Sequence, residues 1–204
     1  MSASLDSYRD VLAELKQTAI AFLRQLKALS PQETPYAMLF EISDQSPGAW
    51  AIGATEESLA RLAARYARKG YRARQGDDLE QLRIGLRWDA PGDDMDGWYW
   101  GDDSNDRRLN GMLLQRFTQM YAADESGYEL VQRLCLSALG EIDREGWLGR
   151  EREREQIVLG ISNVDHDFSH FLGAISEVNP PSVIERLRSQ LVQADQVWDD
   201  IARP

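Results

Sequence analysis

The chain has 204 residues, 43% of them hydrophobic, and a formal net charge of −11. Its length suits one domain with a substantial core, while its acidity argues against general nucleic-acid binding, which needs cationic surface to displace phosphate counterions. No run approaches the roughly 20 apolar residues of a membrane span, Asp6 and Asp10 stand where a signal peptide would be basic and then apolar, and a single cysteine excludes an internal disulfide, so the expectation is a reducing, cytoplasmic setting.

In chain order, Tyr8, Val11, Leu12, Leu15, Ala19, Phe22, Leu23 and Leu26 repeat with helical spacing until Ser30-Pro31. Tyr36 to Ile42 reads as a buried strand, and Ala49 to Ile52 as its hairpin partner across the Ser46-Pro47-Gly48 turn. Thr55 is a fitting N-cap for a helix bearing Leu59, Leu62, Ala63 and Tyr66, with Gly70 as its stop. Leu82, Ile84, Leu86 and Trp88 alternate with Arg83, Gly85 and Arg87, a period of two that predicts a strand with one buried face.

Helical spacing resumes with Leu109, Met112, Leu113, Phe117 and Met120. It returns with Val131, Leu134, Cys135, Ala138 and Ile142, stopping near Gly146. Gln156 to Ile161 predicts a last strand opening into Ser162-Asn163. A helix with Phe168, Phe171, Leu172 and Ile175 on one face follows, and Asn179-Pro180-Pro181 starts a terminal helix, proline being tolerated in a first turn. With neither a repeat nor a flexible linker, residues 1–204 form a single α+β domain: a small mixed or antiparallel sheet of about four strands covered by helices.

The segment from Asp89 to Asp106 packs acid and aromatic residues together. Asp89, Asp93, Asp94, Asp96, Asp102, Asp103 and Asp106 surround Trp98, Tyr99 and Trp100, just after Trp88. One reading is a docking surface made of Asp93, Asp94, Asp96, Trp98, Trp100, Asp102 and Asp103, where aromatics supply contact area and carboxylates steer a basic partner. The other turns Trp98 and Trp100 inward to pin a solvated loop. Because Tyr99 sits between them, an extended segment can present only one set to the core.

Several of these stretches carry a resemblance. Tyr36-Ala37-Met38-Leu39-Phe40 leading to Ala54-Thr55-Glu56-Glu57-Ser58-Leu59 resembles the opening strand and helix entry of the bacterial family catalogued as domain of unknown function 4303. Leu86-Arg87-Trp88, Glu145-Gly146-Trp147-Leu148-Gly149, the late strand ending at Asn163, and Asn179-Pro180-Pro181 extend it over about residues 8–191. These are packing and capping motifs, so the resemblance implies a fold and supplies no catalytic residues. Such proteins are similar to the small acidic proteins encoded beside bacterial toxins.

Other constellations have plainer alternatives. His166 and His170, flanked by Asp165 and Asp167, have the four-residue spacing of a helical metal pair, but no glutamate lies between them. On a helix they would face away from Phe168, Phe171 and Ile175, which predicts solvated side chains with Asp165 as an N-cap. Cys135, mid-helix among apolar residues, reads as a small hydrophobe. Arg61, Arg65, Arg68 and Arg72, with Lys69 and Arg74, form the polar face of an amphipathic helix, neutralised by Asp77, Asp78 and Glu80. Ile184, Leu187, Leu191, Ala194, Trp198 and Ile201 form an apolar seam too short for a coiled coil.

Phosphate loops, nucleophile elbows and paired cysteine ligands are absent from the sequence, and no cofactor is expected. The functional expectation is a non-enzymatic immunity or antitoxin-like protein whose partner is another protein, such as a basic toxin. Its alternatives are a small metal-dependent hydrolase built on Asp165, His166, Asp167 and His170, and a housekeeping interaction module.

Overall fold

The computed structural model describes residues 5–29, 31–74, 76–88, 97–101, 103–123, 126–163 and 168–202. A first helix, α1 (Arg9–Leu29), leads into the hairpin β1 (Pro35–Ile42) and β2 (Ala49–Thr55). Next come α2 (Glu56–Arg68), the short strand β3 (Arg72–Ala73), α3 (Asp78–Leu86) and β4 (Tyr99–Trp100). The chain continues through α4 (Asp103–Ala123), α5 (Ser126–Arg144), β5 (Val158–Ser162), α6 (Leu172–Ile175), α7 (Pro181–Asp200) and β6 (Ile201–Ala202).

The main sheet has the order β4-β2-β1-β5, with β1 antiparallel to β2 and parallel to β5, and β2 antiparallel to β4. It is the mixed α+β sheet the sequence predicts. β3 and β6 pair separately. Central β1 is apolar at nearly every position because both of its faces are covered. Gly53, paired with Met38, leaves room for Phe22 of α1, whose ring would stand 2.9 Å from an added Cβ. Gly160, paired with the next residue, Leu39, leaves room for Ile175 of α6 at 2.8 Å. Successive strand residues point to opposite faces, so α1 lies on one side, packed with α4 and α5, and α6 on the other.

Local signals account for several helix ends. Thr55 and Ser58 form a reciprocal capping box that satisfies two amide donors at the start of α2. Gly70, at φ 100°, takes the left-handed conformation that follows the helix. Pro181 opens α7, while the preceding Asn179 works as a clip. Its Oδ1 accepts from Leu159 N at 2.9 Å, and its Nδ2 donates to Leu159 O at 2.7 Å and Ile175 O at 2.8 Å.

Two expectations are corrected. Leu82 to Trp88 is not a strand: residues through Leu86 belong to α3, whose N-cap Asp77 accepts from Leu79 N and Glu80 N. Leu82, Gly85 and Leu86 are buried with helical spacing, and α3 packs against α2 and α7. That packing satisfies the backbone within α3 and buries the same leucines, so the period of two was coincidental. The strand position it was expected to fill is taken by β4, inside the acid-aromatic segment. The second correction lies at Phe168–Phe171, a 3₁₀ turn leading into a four-residue α6. A four-residue separation defines one face only on an α-helix, and the described residues before Leu172 in this stretch are 3₁₀. The apolar seam of α7 packs within the domain, on α3.

Candidate functional site

The acid-aromatic segment and the tryptophan just before it rest on one residue. Tyr36 meets Trp88 edge-on, with ring centroids 5.4 Å apart, and Trp98 at 6.4 Å. Trp98 is 8% exposed, so its ring supports the segment from beneath. Ser58 Oγ donates to Gly97 O at 2.9 Å, which ties this re-entry point to the first turn of α2. Tyr99 and Trp100 then form the edge strand, both half-buried. Gln25 Nε2 donates to Trp100 O at 3.3 Å. Asp106 is buried. Asp89, Asp93, Asp94, Asp96 and Asp102 lie outside the described residues, as does the side chain of Asp103.

Tyr99 is held by a polar network. Glu33 Oε2 accepts from the Tyr99 hydroxyl at 2.7 Å and from Thr55 Oγ1 at 2.5 Å, and Glu33 Oε1 accepts from Arg61 Nη1 at 2.8 Å. Arg61 Nη2 also donates to the Tyr99 hydroxyl at 2.6 Å. Burial raises the Glu33 pKa, but the bonds from Arg61, Thr55 and Tyr99 outweigh it and hold the carboxyl down at about 2. Arg61, from the arginine stripe, is therefore a structural ion-pair partner, and Arg72 likewise approaches Asp78 at 3.5 Å.

The histidine cluster is only partly described. His170 is exposed on the 3₁₀ turn with its ring edge-on to Phe171, while Asp165, His166 and Asp167 lie outside the described residues. Among the described residues no group of three His, Cys, Asp or Glu side chains is placed to hold a metal. Cys135 is fully buried, and burial pushes its thiol pKa well above the usual range, which suppresses the reactive thiolate. The ends of β1 and β5 do bring together a polar group that sequence spacing did not reveal. Buried Glu41 accepts from Ser162 Oγ, and Asn163 Nδ2 donates to the Tyr128 hydroxyl at 3.2 Å.

A second site has no counterpart in the sequence reading. Thr34, Tyr36, Arg87, Trp88, Arg186 and Gln190 line a cavity of about 290 Å³, beside Glu56. Arg87 grips the Glu56 carboxylate with two bonds of 2.7 Å and lies over the Tyr36 ring, 4.7 Å from its centroid. Arg83 adds a bond to Glu56 at 3.2 Å. Arg186, from α7, donates to the carbonyls of Glu155 and, at 3.0 Å, Gln156. Burial lowers its pKa, and the nearby Arg87 and Arg154 guanidinium groups lower it further, against opposing contributions from Glu155 and Glu56. Trp88 Nε1 and Gln190 Oε1 are buried without a hydrogen-bond partner. Arg186 and Gln190 sit one helical turn apart, a spacing readable in sequence. Their meeting with Arg87, about a hundred residues earlier, is not.

The sequence model of the family described as domain of unknown function (DUF4303) matches residues 15–180, and the chain belongs to that family. No curated protein and no solved structure matches the chain. Among the described residues no helix is long and apolar enough to cross a membrane.

Proposed function

We propose that this member of the DUF4303 family is a protein-binding module whose partner docks on the sheet edge at Tyr99 and Trp100 and on the flanking carboxylates. The supporting observation is the pairing of half-exposed aromatics with a rigid base. β4 is an edge strand, and the Glu33–Tyr99–Arg61 network with buried Trp98 holds it in place before any partner arrives. Preorganised aromatics lose little entropy on binding, and a chain of net charge −11 attracts a basic partner over distance. The sharpest form of the reading is an immunity or antitoxin-like protein that covers a basic toxin.

The test uses the product of the neighbouring open reading frame, purified and mixed with this protein over a range of salt. Replacing Asp93, Asp94, Asp102 and Asp103 with Asn should slow association and flatten its salt dependence, while Trp100→Ala should speed dissociation. Unchanged association rates at low salt would remove the electrostatic part. A neighbouring product that forms no complex would favour an interaction module with another partner.

The hydrolase alternative draws on one observation: a buried carboxylate, Glu41, accepts from Ser162, which precedes Asp165, His166 and Asp167 by a few residues in sequence. Purified protein holding stoichiometric zinc or manganese, lost in His170→Ala, would put that reading first.

A further inference from the structure

We propose that the cavity at Arg87, Trp88, Arg186 and Gln190 binds a small organic oxyanion, a carboxylate or a phosphate ester with a compact apolar body. Arg186 is its principal anchor. This inference is independent of the docking surface on β4.

Charge supports this assignment. Around the cavity, Arg87 and Arg83 share Glu56, Arg83 also approaches Glu80 at 3.8 Å, and Arg154 pairs with Asp143 at 2.7 Å. Arg186 differs from these three. Among the described residues its hydrogen bonds go to neutral backbone carbonyls, and no carboxylate pairs with it. A guanidinium carries five N–H donors in a planar fork and stays charged in proteins, so N–H groups remain for a ligand after two carbonyl bonds. Burial and the nearby Arg87 and Arg154 disfavour this cation more than the carboxylates of Glu155 and Glu56 favour it, and a bound anion would relieve the remaining cost.

Unsatisfied hydrogen-bonding groups support it too. Trp88 is 7% exposed and its buried indole N–H has no acceptor, although buried donors are nearly always satisfied. Indole is a donor only, so it calls for an oxygen. Gln190 contributes a second unsatisfied atom from the turn of α7 that follows Arg186. A half-turn of its amide would present NH₂ in place of the oxygen. Arg186, Trp88 and Gln190 all line the cavity, so small side-chain rotations would bring arginine, indole and amide donors to one oxyanion.

The shape of the cavity selects a compact organic ligand. The rings of Tyr36 and Trp88 give the cavity an apolar wall, and its volume of about 290 Å³ lies at the lower end of small-ligand sites. A bare inorganic ion would leave that wall unused, and a drug-sized molecule would not fit.

The test titrates inorganic phosphate, phenyl phosphate and benzoate into ¹⁵N-labelled protein and follows the Trp88 indole N–H resonance. Phenyl phosphate or benzoate should move that resonance saturably, and the tighter of the two assigns the head group. Arg186→Met should weaken binding at least about tenfold, the loss of one charge-assisted contact. Arg186→Lys, which keeps the charge and loses the fork, should give an intermediate loss. If Arg186→Met does not fold, Arg186→Lys and Gln190→Leu carry the comparison. Three outcomes overturn the proposal: no saturable shift with any probe up to about 20 mM, well beyond a millimolar site; undiminished affinity in the folded Arg186 variants; or inorganic phosphate binding as tightly as both organic probes.

Discussion

Replacing Trp88 with alanine tests both the corrected secondary structure and the packing of this region. The side chain is 7% exposed, stacks on Phe168 with ring centroids 5.1 Å apart and planes 18° apart, and meets Tyr36 nearly at right angles. Truncating a buried tryptophan costs about 3–5 kcal/mol through lost transfer energy and the cavity left behind. Two features move the value within that range. Trp88 lines both the 290 Å³ cavity and another of about 240 Å³ against α7, so its removal would enlarge the open space at both. Deleting an unsatisfied indole N–H returns about 1 kcal/mol. The expected net loss is about 3–4 kcal/mol, with Trp88→Phe costing under about 1.5 kcal/mol because it keeps a ring between Phe168 and Tyr36 and removes the orphaned donor. Equilibrium urea unfolding with an unchanged m-value is the assay. A loss below about 1 kcal/mol for alanine, or equal losses for both variants, would refute the reasoning.

Three further outcomes are expected. Glu33 has a folded pKa of about 2 against an ordinary 4.5, so the folded chain binds fewer protons there than the unfolded one. Its contribution is therefore present above about pH 4.5 and lost as pH falls toward 2. Glu33→Gln should flatten the acid-unfolding profile in that window by about 1–2 kcal/mol, below full linkage because Arg61 is 55% exposed and screened; an unchanged profile would contradict the network. Asn179→Ala should cost about 2–4 kcal/mol, since it strips bonds from both backbone groups of Leu159. Hydrogen exchange at the Leu159 amide should accelerate, and protection equal to wild type would show that the clip is dispensable. Native Cys135 should resist thiol reagents and react only at the rate of unfolding, as its burial and raised pKa require; rapid native labelling would contradict its buried placement.

What was legible in sequence had a local cause. α1, α2 and α7 could be read because their apolar spacing is long and their ends carry a proline, a capping threonine or a glycine, each acting within a few residues. β1 was legible because a short, dense apolar run has few alternatives to a buried strand. α3 failed for the same reason in reverse. Leu82 and Leu86 fit both periods, and over seven residues the period of two looked cleaner, although Asp77 already offered a helix cap.

Tertiary structure decided the rest, because it depends on contacts between residues far apart in the chain. Composition marked Asp89 to Asp106 as unusual. Which ring turns inward followed from where Tyr36, Ser58 and Leu62 stand beneath the segment. Arg87 and Arg186 are unremarkable on their own helices. They come to line one cavity because α3 packs against α7, which sets the two guanidinium groups near each other at a partly desolvated site. Periodicity and capping are short-range and survive in a linear reading, whereas desolvation and charge proximity arise when the chain closes on itself.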